Sequence, residues 1–168
     1  MTAEPASLKA RPHHGPFPVP YVTAIIDGIP DFKVHDNVQR EKVARRGLCQ
    51  LCGERFAPTA MPPAILPPTM AFVGHRGSLE RGVFGEPPMH VDCMEFAWEV
   101  CPWLAGRNWQ LDWRKAAEGL TILPEPDDDG PLGIWITNGY RVVPDDEGSG
   151  SVKWIPNPPT RAIAWRSR

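Results

Sequence analysis

Two short stretches constrain this chain more than anything else in it. "RGLCQLCGERF" places Cys49 two residues clear of Cys52, and "PPMHVDCMEFAWEVCPW" places His90 three residues before Cys93. A C-x2-C pair followed by an H-x2-C pair supplies the four donors that a tetrahedral structural zinc requires. Gly53 follows the second cysteine, where a left-handed backbone closes a knuckle and lets both thiolates face one centre. His90 and Cys93 fall at the start of an apparent helix, where residues three apart share one face. The positive end of that helix also favours a thiolate. A knuckle, a strand pair and a helix whose first turn supplies the last two ligands is the treble-clef arrangement.

Three sulfurs and one imidazole fill all four positions, so the expected Zn2+ is structural and leaves no site for a catalytic water. Two residues compete for a place in the set. Cys101 lies about 12 Å beyond Cys93 along a continuous helix, too far to share one metal or to form a disulfide. It reads as a buried apolar residue of the helix face. His75 sits in a Gly-rich stretch with no partner at ligand spacing. A thiol redox role for Cys49 and Cys52 is the alternative reading of the C-x2-C pair.

A chain of 168 residues suits one domain or one domain with an appended module, and its net charge of -2 does not make it polycationic. The 21 prolines imply short, sparse regular elements. The first residues contain no apolar signal region, and no run approaches the length of a membrane span. The expected compartment is therefore the cytoplasm, where thiols stay reduced and metal binding is favoured over disulfides.

Along the chain, residues 1–16 read as a disordered tail, 17–123 as the zinc-binding domain, 124–131 as an acidic linker and 132–168 as a C-terminal β module packed on the first. "VPYVTAIIDGIPDFKVHD" predicts a hairpin turning at Asp27 and Gly28. Asp36 is placed to cap a short helix whose exposed face carries Arg40, Lys42, Arg45 and Arg46. That run is either a solvated helix face or a nucleic-acid contact. The proline-rich segment 57–70 is expected to be extended, "AFVG" a strand, and "HRGSLERGVFGEPP" a polar loop. The helix after His90 should end near Cys101, because Pro102 follows it. "NWQLDWRKAAEGL" reads as a second helix with Trp109 and Trp113 packed in the core. The C-terminal part reads as an antiparallel meander. Asn138 and Gly139 alone could make a tight turn, but "PDDEGSG" is favoured because it leaves Ile134 to Val143 as one strand. The fold class is therefore α+β.

An HNH-like nuclease is the enzyme alternative, since that scaffold also uses a treble clef. It would have to use His75 or His90 as base, because no histidine follows His90. The chain has no G-x-S-x-G, Walker loop or H-E-x-x-H.

The central block "AFVGHRGSLERGVFGEPPMHVDCMEFAWEVCPWLAG", with "RGLCQLCGERF" before it and "ITNGYRVV" and "TRAIAW" after it, resembles a family of uncharacterised actinobacterial and actinophage proteins. The resemblance implies that His90 and Cys93 form a paired zinc-binding motif, and it groups Cys101 with them. It implies no activity. Together these readings lead to a non-enzymatic zinc-binding protein. It is expected to be an adaptor or binding module for a protein or nucleic-acid partner, with no membrane and no small-molecule substrate.

Overall fold

A computed structural model describes residues 2–57, 59–61, 64–101, 104, 132–145, 152–160 and 164–166. The expected helix around Trp109 and Trp113 and the acidic linker lie outside the described residues. What is described is an α+β fold of short helices and antiparallel strand pairs.

Its centre is strand β7, Met70–His75, an apolar run whose side chains alternate between two cores. Ala71 and Val73 face a cluster containing Leu8, Cys49, Cys52, Met89, Cys93, Met94 and Phe96. Met70 and Phe72 belong to a second cluster with Leu79, Phe84 and Trp154. On one side β7 pairs antiparallel with β8, Met89–His90, which leads directly into helix α4, Val91–Val100. On the other side it pairs with β9, Leu132–Thr137, and β12, Ala164–Arg166, completes a four-stranded sheet in the order β12-β9-β7-β8.

The Asp27 and Gly28 turn joins β3, Thr23–Ile26, to β4, Ile29–His35, with both turn residues at positive φ (51° and 80°). That is the geometry a tight hairpin needs. Asp36 accepts hydrogen bonds from the amides of Val38 and Gln39 at the start of α2, Asn37–Arg46, and Gly47 stops the helix in a left-handed conformation. Val43 packs from α2 onto Val22 and Leu48.

Four expectations need correction. Residues 2–14 are ordered: α1, Ala6–Lys9, and β1, His13–His14, pair and pack this segment, and Leu8 is only 2% exposed. One leucine inserted into the first core outweighs the polar composition around it. β1 pairs with β2, Phe17–Pro18. The proline-rich stretch is extended as expected, but it folds back as a hairpin of β5, Thr59–Met61, and β6, Ala64–Leu66. The loop after β7 contains α3, Arg76–Arg81, anchored by buried Leu79 and stopped by Gly82 at φ 62°.

The fourth concerns Ile134 to Val143, which do not form one strand. β9 ends at Thr137, and β10, Tyr140–Pro144, pairs instead with β11, Val152–Pro156. Thr137 is fully buried, and its hydroxyl donates to the carbonyls of Gly139 (3.2 Å) and Asn157 (3.1 Å) where the chain leaves the sheet. Trp154 on β11 then docks this ribbon against Phe84 through a pair of 2.9 Å backbone hydrogen bonds.

Candidate metal centre

The first core holds the site. Residues 48–55 close into a knuckle through a bridge between Leu48 and Arg55, with the Cys49 amide donating to the Glu54 carbonyl at 2.8 Å and the Gly53 amide to the Cys49 carbonyl at 2.9 Å. Gly53 sits at φ 81°, and a Cβ there would lie 2.5 Å from Cδ2 of Tyr21. No larger residue satisfies both conditions.

Gln50 fastens the knuckle to the second half of the site. Its amide donates to the Pro88 carbonyl at 3.0 Å and its side-chain Nε2 to the Pro87 carbonyl at 2.7 Å. Pro87 and Pro88 are fully buried and stand just before Met89 and His90. Gln50 therefore ties the Cys49–Cys52 knuckle to the segment that carries His90 and Cys93, a role that nothing in the sequence pattern around it signals.

The donor atoms of Cys49, Cys52, His90 and Cys93 all lie within 4.8 Å of one another. Cys49 and Cys93 are 0% exposed and Cys52 is 6% exposed. His90 is the helix N-cap residue rather than a member of the first turn, and Cys93 lies inside that turn. The imidazole turns Nδ1 toward Cys52 Sγ, at 3.3 Å, and Nε2 toward the Arg55 carbonyl, at 3.2 Å. A carbonyl only accepts, so Nε2 carries a proton, which leaves Nδ1, once its own proton is displaced, as the atom that can present a lone pair to the cluster. Phe56 packs against the ring with centroids 4.8 Å apart.

The protonation pattern of the free donors fits a cation site. Hydrogen bonds from Cys49 and then Cys93 pull the Cys52 thiol far below its ordinary range, against the opposing effect of burial. Bonds to Cys49 and Cys52, together with burial, push the Cys93 thiol far up. Bonds to Cys49 and Cys52 push His90 up to about 10. One thiolate is thus neutralised by protons held on its neighbours, and a divalent cation at the same point would take over that work.

Cys101, at the far end of α4, and His75, at the N-cap of α3, are not members of the cluster. The four basic residues of α2 do not form one open patch. Arg40 stacks over the Trp154 ring at 5.3 Å and donates to the Gly85 carbonyl. Arg45 pairs with Glu41 at 2.6 Å, and Lys42 donates to Gln39 at 3.3 Å. Arg46 is exposed.

Among the described residues, no helix is long and apolar enough to cross a membrane. Comparison of the chain with protein-family models, with curated proteins and with solved structures finds no match. The functional reading therefore rests on the residues themselves.

Proposed function

We propose that Cys49, Cys52, His90 and Cys93 bind one Zn2+ in a closed, structural, treble-clef-like centre, and that the protein is a non-enzymatic binding module. The observation that carries this reading is the convergence of four donor atoms within 4.8 Å from two distant segments. Three sulfurs and an imidazole suit zinc and saturate its tetrahedron. The order of knuckle, β7–β8 pair and α4 supports the treble clef, and the quoted motif supports kinship with the actinobacterial and actinophage group.

The partner is another protein. The β3–β4 hairpin supports this choice, because it exposes Ile25, Ile26 and Ile29 by 57, 40 and 38% at its tip. The charge argument for nucleic acid weakens because Arg40 is held over Trp154 and the exposed Arg45 has the acidic Glu41 beside it. A gel shift of DNA or RNA at low salt, abolished by charge reversal on α2, would reverse that preference. As a nuclease base, His90 would have to give up both its contact with Cys52 and its bond to Arg55.

Elemental analysis of the wild type and of Cys93→Ser tests the centre. The expected result is about one zinc per chain, lost in the variant together with cooperative unfolding. Folding without metal would overturn the reading and make Cys49 and Cys52 redox candidates. Zinc retained by the variant would place the fourth donor elsewhere.

A further inference from the structure

Each sulfur of the cluster meets a hydrogen-bonding partner, and the three partners differ in origin. The His90 amide donates to Cys49 Sγ at 3.4 Å, and the Glu54 amide donates to Cys52 Sγ at 3.5 Å. Both belong to the segments that carry the ligands. Cys93 Sγ instead meets the Ser7 hydroxyl at 3.7 Å, 86 residues away in sequence.

Ser7 is held there by several independent contacts. Its neighbour Leu8 belongs to the same core cluster as Cys49, Cys52 and Cys93. The Thr2 amide and hydroxyl donate to the Glu99 carboxylate on α4 at 2.6 and 2.7 Å. Arg11 Nε donates to the Val19 carbonyl at 3.1 Å, and its guanidinium lies 5.4 Å from the Tyr21 ring centroid. Burial pulls the Arg11 guanidinium below its ordinary value, while Tyr21 and Cys52 oppose that shift. A cation thus stands within electrostatic reach of the cluster.

Between a thiol and a hydroxyl either group can donate, but a metal-bound thiolate can only accept. Three thiolates and one divalent cation leave one net negative charge in a buried site. Donors aimed at sulfur and a nearby cation both spread that charge.

We infer that the N-terminal segment belongs to the outer shell of the metal centre: Ser7 donates its proton to the Cys93 thiolate, and zinc binding and docking of α1 favour each other. The inference rests on the zinc reading above. The coupling is reciprocal, so whatever the docked segment adds to zinc affinity, zinc adds to the docking of the segment.

The test is transfer of zinc from the loaded full-length protein to a chromogenic chelator, for the wild type, Ser7→Ala and Ser7→Thr. Ser7→Ala should bind zinc about 10-fold more weakly, the lower end of the range for loss of an outer-shell partner. Ser7→Thr keeps the hydroxyl and should stay near the wild type. In the cobalt-substituted protein, the sulfur-to-metal charge-transfer band should shift in Ser7→Ala alone, which a merely structural role would not produce. Equal zinc retention and an unshifted band in Ser7→Ala would overturn the inference, as would failure of threonine to rescue. A wild type that binds no zinc at all overturns the parent reading instead, before any variant is made.

Discussion

The Nε2 of His90 lies 3.2 Å from the carbonyl oxygen of Arg55, so the backbone of the first ligand pair fixes the ring orientation of the second. The knuckle therefore contributes two sulfurs and also aims the imidazole. His90→Ala removes a ligand and leaves three sulfurs. Zinc affinity should fall by more than the roughly 10–100-fold loss typical of an outer-shell partner. Competition against a chelator of known affinity measures this, and an unchanged constant would remove His90 from the ligand set.

The same residue sets the pH dependence of metal uptake. With its folded value raised from 6.5 to about 10, His90 keeps its proton through neutral pH in the metal-free cluster. Stabilisation of the metal-free fold by the imidazolium is fully present below about 6.5 and is lost as pH rises through about 10. Zinc must displace that proton, so affinity should keep rising with pH toward about 10, by about tenfold per pH unit for each proton displaced. An ordinary imidazole would stop contributing to that rise above about 6.5 and leave it to the thiols alone. Chelator competition across this range checks the slope, which should be shallower in His90→Ala.

Gly53→Ala tests the knuckle without touching a ligand. A side chain at φ 81° is strained, and its Cβ would meet the Tyr21 ring at 2.5 Å. The expected loss is about 1–3 kcal/mol, read from chemical denaturation of the zinc-loaded protein. A smaller loss in the double variant with Tyr21→Ala would assign part of it to the ring and the rest to the backbone.

Arg40 and Arg46 lie on one helix yet should behave differently. Arg40→Ala removes a cation over Trp154 and a donor to the Gly85 carbonyl, and should cost about 1–2 kcal/mol. Arg46→Ala, at an exposed position, should stay within about 0.5 kcal/mol. Thermal melts of the two variants decide. Equal small effects would mean that Arg40 is a surface charge after all.

How much of this was legible beforehand depended on whether the signal was local. The turn at Asp27 and Gly28, the Asp36 cap and the two donor pairs each depend on residue types a few positions apart, and the turn, the cap and the clustering of the donors lie where the sequence pointed. Helix α3 escaped because "RGSLER" buries only Leu79 and so shows no apolar period. The break after Thr137 loses to the longer turn, although Asn138 and Gly139 signal it, because alternation of side chains tells nothing about which sheet a strand joins. Gln50 and Ser7 could not be read at all. Each matters through a partner distant in sequence, and a glutamine or serine there looks like any other polar residue.

The place of β9 beside β7 has a bearing on how the chain is made. All four donors of the cluster and the α1 segment leave the ribosome before Leu132–Thr137, the strand that covers one edge of β7. During that interval the nascent chain carries an open edge of "MAFVGH" able to pair with any other strand it meets. Zinc captured by residues 49–93 would pin the knuckle and α4 on β8 against the other edge in that window. With a metal bound at that stage, its supply during translation would bear on how often the strand waits in its native setting and how often it aggregates.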